Sequence, residues 1–193
     1  MKGLFLDEFL TFLEEQHSWR LAEDVSAALG GTVFLWTGDY PAATFDQLID
    51  TAARLSGEQP GQLARRYGRH LFRLLERRFP ELVLVPRDGF SFLAQLPARL
   101  ALKLGIWLDD GRVPGVAVLR EGERVVIRLA FAKGHAAGVA EGFLAAAAEK
   151  FGDMAIETTR SDEAAGMSFV LRRTTEQAPP RARVVPLRAP VPL

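Results

Sequence analysis

The chain contains no cysteine. That excludes disulfides, a thiolate nucleophile and any zinc or iron–sulfur site built on thiolates. Histidine is scarce too: His17, His70 and His135 are scattered, no two share a helical turn, and the sequence offers no ready cluster of metal ligands. No apolar run approaches about 18 uncharged residues, so no membrane-spanning segment is expected. The opening "MKGLFLDEFLTFLEE" imitates a signal peptide only until Asp7 and Glu8 interrupt it, and a cytoplasmic location is expected. Excess charge is missing as well. Lys and Arg number 24 against 24 Asp and Glu, which gives no electrostatic reason to expect nucleic acid or an anionic membrane as partner. Gly30-Gly31 and the stretch "GEQPG" at 57–61 have neither P-loop nor dinucleotide spacing, and there is no G-x-S-x-G elbow. The acidic pair Asp109-Asp110 precedes a glycine and reads as a turn. With no acid–base constellation visible, the chain is not expected to be an enzyme.

What is present is globular. A chain of 193 residues with 48% hydrophobic and 25% charged residues can bury a sizeable core. Phe5, Phe9, Phe12 and Leu13 recur at helical spacing over residues 3–16, with Asp7, Glu8, Glu14 and Glu15 on the other side. A short helix is expected from Trp19 to Ala28, stopped by Gly30-Gly31, and "TVFLWTG" reads as a short buried strand. Thr44 can cap a helix carrying Phe45, Leu48, Ile49 and Leu55. The strongest helix follows Pro60, with Leu63, Tyr67, Leu71 and Leu74 on one stripe and Pro80 as its end. His70 lies beside that stripe and reads first as a packed or hydrogen-bonded histidine. "FLAQLPARLALKLGIWL", residues 92–108, continues a helix from about Gly89 to Leu104 that is too apolar for a surface and too charged for a membrane.

After Asp109-Asp110-Gly111 the period changes. "VAVLREGERVVIRLAF" makes a hairpin around Glu121-Gly122-Glu123, residues 136–151 return to helix with Val139, Phe143, Ala147 and Phe151 on one face, and "MAIETT" with "MSFVLRR" makes a second hairpin. The fold class is therefore α+β: a helical part over 1–108, then a ββαββ part over 112–173 with an antiparallel sheet. Residues 174–193, with five prolines, are expected to form an extended Pro/Arg-rich tail. Phe9, Leu13, Leu71, Leu74, Leu129, Phe131, Val139 and Phe143 are the expected core.

Three stretches carry a resemblance beyond this pattern. "MKGLFLDEFLTFLEEQHS", "GDYPAATFDQLIDTAARLSGE" and "GRHLFRLLERRFPEL", in this order and separation, with "AEGFLAAAAEKFGD" between the two hairpins, resemble the bacterial heme nitric oxide/oxygen binding (H-NOX) family, also called the haem-NO-binding domain. The resemblance covers residues 1–173 and implies the same helices-then-ββαββ fold. It further implies a b-type haem between the helical half and the sheet, with a proximal histidine on the helix of residues 89–104. Matching from "FSFL" puts that position at Leu100, and small shifts give Arg99 or Ala101. No histidine occurs between His70 and His135, and no Cys, Met or Tyr occurs in residues 89–112. The family's Tyr-x-Ser-x-Arg grip on the propionates falls on Phe131, Lys133 and His135. There the residues are either ordinary solvent-facing side chains or point charges that still meet an anion.

The expectation is thus a non-catalytic sensory or regulatory domain with degenerate haem ligation. Its pocket either has closed into core or takes a hydrophobic ligand with an acidic end. The alternatives are a haem-binding gas sensor that recruits His135 or His70, and a ligand-free interaction domain. A histidine kinase or cyclic-nucleotide enzyme acting in trans is the partner the resemblance implies.

Overall fold

A computed structural model describes residues 2–103, 116–122, 124–129, 134–162 and 166–174. The amphipathic start forms α1 (Gly3–Gln16), which buries Leu6, Phe9, Phe12 and Leu13. Phe5 is exposed and Leu6 takes its place in the core. Ser18 accepts a hydrogen bond from the Leu21 N–H (3.2 Å) and so caps α2 (Trp19–Ala28), which stops before the left-handed Gly30 and Gly31. "TVFLWTG" is not a strand. Phe34 alone turns inward, edge-on to Tyr40 at 5.1 Å, while Val33, Leu35 and Trp36 are exposed. With one partner segment only, the isolated bridge Lys2–Asp39, there is no ladder for the β-branched residues to join. The segment is instead pinned on α1: the Trp36 carbonyl accepts from the Leu4 N–H (3.2 Å) and its indole donates to Asp7 (2.7 Å).

α3 (Ala42–Ser56) begins two residues before Thr44, after Pro41, whose fixed φ favours a helix start, and it ends at Gly57 with φ 76°. It buries Phe45, Leu48 and Ile49, but Leu55 faces solvent. α4 (Pro60–Arg78) starts on its proline. Its buried set is Leu63, Ala64, Tyr67, Gly68, His70, Phe72 and Leu75, with Leu71 and Leu74 only half-buried. The expected narrow stripe was wrong because α4 is central: it is pressed from one side by α1 and α3 and from another by the C-terminal helix, so polar and small residues between the two contacts are buried too. Pro80 does not simply terminate structure. Its missing N–H costs nothing at a first helical position, and it opens α5 (Pro80–Leu84). α6 (Gly89–Lys103) runs through Pro97.

The sheet is antiparallel in the order β1-β2-β4-β3, from β1 (Val116–Glu121), β2 (Arg124–Leu129), β3 (Met154–Asp162) and β4 (Gly166–Arg173). Gly122, at φ 60°, makes the tight turn of the first hairpin. Register pairs Val125 with Leu171 and Ile127 with Phe169, and all four are buried on one face, whereas Arg124, Arg128 and Arg172 lie exposed. A bulge at Glu157 kinks β3. α7 (Ala136–Phe151) carries the chain from β2 to β3 across the sheet.

Two apolar clusters result. One joins α1, α2, α3 and the N-terminal half of α4; the other joins the C-terminal half of α4, α5, α6, α7 and the sheet. Phe9 and Leu13 are fully buried as expected, and Val139 and Phe143 are partly so. The side chain of Leu129, all of Phe131, and residues 175–193 lie outside the described residues. The α4–α7 contact that links the clusters is backbone-close. A methyl on Gly68 would collide with the Val139 carbonyl, one on Gly142 with the Arg65 carbonyl, and one on Gly138 would stand 3.0 Å from the Ala64 Cβ. Small residues four apart on both helices allow that approach.

Candidate functional site

α6 is fixed at its start before it meets the core. Asp88 accepts from the Ser91 N–H (2.7 Å), Asp153 at the α7–β3 turn accepts from the Gly89 N–H (3.1 and 3.2 Å), and Arg173 at the end of β4 reaches Asp88 (3.3 Å) while lying over the Phe90 ring at 4.8 Å. A Cβ on Gly89 would come within 2.7 Å of the ends of the Asp153 and Met154 side chains, which would have to shift to admit it. Partial burial works to raise the Asp88 pKa, but the Ser91 N–H and hydroxyl and the Arg173 guanidinium outweigh it and hold the carboxyl below its ordinary value. The Asp88–Ser91 cap is a local signal that spacing could have given, whereas the contacts of Asp153 and Arg173 were not legible because those residues are distant in sequence.

The apolar body of α6 presses on protein. Phe92 is buried against Phe72 of α4 (5.9 Å, 85°) and Phe151 of α7 (5.1 Å, 31°), and Phe72 in turn meets Phe143 (5.5 Å, 79°). Leu96 and Leu100 are half-buried against the same cluster, which includes Val118, Val125, Ile127, Phe169 and Leu171 of the sheet. Leu100, the expected ligand position, is therefore a packing residue, with the half-buried Arg99 before it.

The three histidines are engaged elsewhere. His70 is 7% exposed; its Nε2 lies 2.8 Å from Glu8 Oε1 and its Nδ1 3.8 Å from Glu15 Oε2, with its ring edge-on to Phe12 and stacked on Tyr67. Two residues along a helix is about 200° of rotation. His70 accordingly faces α1 while Phe72 faces α6 and α7. Tyr67 donates to the Phe5 carbonyl (2.6 Å), and burial, helped by the charges of Glu8 and Asp7, pushes its phenol well above the usual value. His135 precedes α7 with its N–H on Asp46 (2.9 Å) and its Nε2 2.7 Å from Asp50, both carboxylates of α3. His17 sits 3.0 Å from Glu58, which Arg66 also holds (2.6 and 2.7 Å). Phe131 and Lys133 lie outside the described residues.

Among the site residues, Glu8 was placed wrongly by the sequence reading. It was expected on the solvent side with Asp7, Glu14 and Glu15, yet it is buried. The signal was available: Glu8 and Glu15 are seven residues apart, on the same stripe as Phe12 between them.

These donors do not fit a histidine-ligated haem. The position that the family resemblance selects on α6 holds Leu100, His70 is turned toward α1, and His135 is engaged by the carboxylates of Asp46 and Asp50 on α3. Among the described residues no three His, Cys, Asp or Glu converge as a metal site, and no helix is long and apolar enough to cross a membrane.

The fold has close counterparts among solved structures. An H-NOX protein from S. oneidensis in the Fe(II)NO ligation state superposes with a TM-score of 0.71 at 15% identity, over 90% of this chain and 99% of that one. An unliganded Fe(II) H-NOX protein from K. algicida gives 0.68 at 17% identity, over 90% and 97%, and a variant of it gives 0.70 at 18%, over 91% and 98%. No curated protein matches the chain. The sequence profile described as haem-NO-binding matches residues 2–160. The chain belongs to the haem-NO-binding family, whose domains are sensors.

Proposed function

We propose that this chain is a non-catalytic sensory or regulatory domain of the haem-NO-binding family in which haem ligation has degenerated. The observation that carries this reading is α6. Its apolar residues Phe92, Leu93, Leu96 and Leu100 are kept and packed, while nothing along residues 89–112 supplies an imidazole, thiolate, thioether or phenolate to iron. Recruitment of His70 or His135 is disfavoured, since each would have to abandon a carboxylate partner and turn about its helix or turn.

What the domain senses is then either a hydrophobic ligand or a partner protein, in trans a histidine kinase or cyclic-nucleotide enzyme. An amphipathic carboxylate would bury its tail beside α6 and offer its head to Lys133 or His135, the basic positions that the family resemblance selects. The ligand-free reading is favoured by one observation, the edge-on contact of Phe72 on α4 with the buried Phe92 on α6.

The test is absorption of the purified full chain before and after reconstitution with haemin. A broad, weak Soret absorption without a shift on adding NO is the expected result. A sharp Soret band at full occupancy that shifts with NO overturns the proposal.

A further inference from the structure

The zero net charge conceals an uneven distribution. α4 carries Arg65, Arg66, Arg69, Arg73, Arg77 and Arg78. Along its shaft they are neutralised: Arg65 on Glu141 (2.8 Å), Arg66 on Glu58 (2.6 Å), Arg69 on Glu149 (2.6 Å), with Arg73 in the field of the same Glu149. At the tip they are not. Arg77 and Arg78 are exposed and, like the exposed Arg87, make no ion pair among the described residues. The neighbouring carboxylates are taken, Glu76 by Lys150 (2.7 Å) and Asp88 by Arg173, and Glu81 is not free.

Between these arginines α5 sends Leu82 and Val83 inward and leaves Leu84 and Val85 74% and 59% exposed. The helix dipole accounts for cations at the end of α4. It does not account for Arg87, nor for two adjacent aliphatic side chains standing in water beside them. Two such side chains offer far less than the roughly 800 Å² per partner of a stable protein interface. They do suit insertion at the boundary between lipid headgroups and acyl chains, with guanidinium groups around them that pair bidentately with phosphate.

We propose that the corner from Arg77 to Arg87 docks this domain on an anionic lipid surface, with Leu84 and Val85 inserted and Arg77, Arg78 and Arg87 on the headgroup phosphates. The association rests on these surface side chains and is peripheral and reversible.

Co-sedimentation of the full chain with vesicles tests this, using phosphatidylcholine alone against phosphatidylcholine mixed with phosphatidylglycerol. Binding is expected only to the anionic vesicles, and it should fall as salt rises. Arg77→Ala with Arg78→Ala should weaken it about fivefold per arginine. Leu84→Ser with Val85→Ser should weaken it about tenfold or more. All four positions are exposed, so melting temperatures should not move, and an unchanged melt separates lost docking from lost folding. Failure to bind anionic vesicles, equal binding to both vesicle types, or binding that both double variants retain would overturn the proposal. So would loss in the aliphatic variant alone without salt dependence, which would indicate apolar adsorption without recognition of the headgroup phosphates.

Discussion

The Nε2 of His70 on α4 lies 2.8 Å from the Glu8 carboxylate on α1, and both side chains are buried. The pair ties two helices of the N-terminal cluster by one polar contact inside an aromatic shell of Phe12 and Tyr67. Removing either partner leaves a buried polar group unsatisfied. Glu8→Ala or His70→Ala should therefore cost about 1–3 kcal/mol in chemical denaturation. Replacing both at once, Glu8→Ala with His70→Ala, should cost clearly less than the two single losses together, because no orphan remains. Additive losses would show that the pair does not act as a unit.

Three glycine substitutions should give opposite signs by position. In a helix interior, alanine is favoured over glycine by about 1 kcal/mol. Gly61 is the second residue of α4 and has nothing within 4 Å of a built Cβ, so Gly61→Ala should raise stability, by less than the interior value of about 1 kcal/mol. Gly68→Ala and Gly142→Ala drive a methyl into a facing carbonyl and should lower stability by about 1–3 kcal/mol or more despite the propensity gain. Thermal melts of the three variants check this. Stabilisation at Gly68 would mean that α4 and α7 are further apart than described.

These glycines also mark where sequence reading stopped. Period alone was enough to delimit α2 and α7 and to foresee the switch to strands, because each of those elements buries one face and its apolar spacing reports that face. α4 misled because it is buried on two sides, so Gly68 and His70 are interior without being apolar. "TVFLWTG" misled because β-branched residues need a neighbouring ladder, and a single bridge to Lys2 is not one. For the candidate site, the letters show only that residues 89–112 hold no His, Cys, Met or Tyr, whereas the partners of His70 and His135 were not visible in them. Those partners come from α1 and α3, 62 and 85 residues away in the chain.

Asp88 should couple α6 to pH. Its folded-state pKa lies below the ordinary value, through Ser91 and Arg173 against the opposing effect of partial burial. A depressed carboxyl contributes stability in full above its unfolded value of about 3.9 and loses it as pH falls through the lower folded value. Asp88→Ala should thus cost about 1 kcal/mol near neutral pH, as for a lost helix cap. The gap between variant and wild type should close below about pH 3.9 as the wild-type carboxyl is protonated. Urea denaturation at a series of pH values measures it, and a gap that persists unchanged at the acid end would assign the cost to packing rather than charge.

The ligation question has a sharper test than the presence of colour. If iron finds no axial donor, a porphyrin can gain affinity only by burying its ring, and the metal contributes nothing specific. Iron protoporphyrin and metal-free protoporphyrin should then bind with affinities within about threefold of one another, a difference of less than about 1 kcal/mol. Tryptophan fluorescence quenching can read both titrations. His70→Ala and His135→Ala should leave both unchanged, because neither ring faces the cluster around Phe92. Leu100→His asks the converse at the position the family resemblance selects: if α6 still lies as in a haem-binding relative, this variant should favour the iron porphyrin over the metal-free one. A wild-type preference for iron that His135→Ala abolishes would instead establish recruitment, and would require His135 to have left Asp50 for the metal.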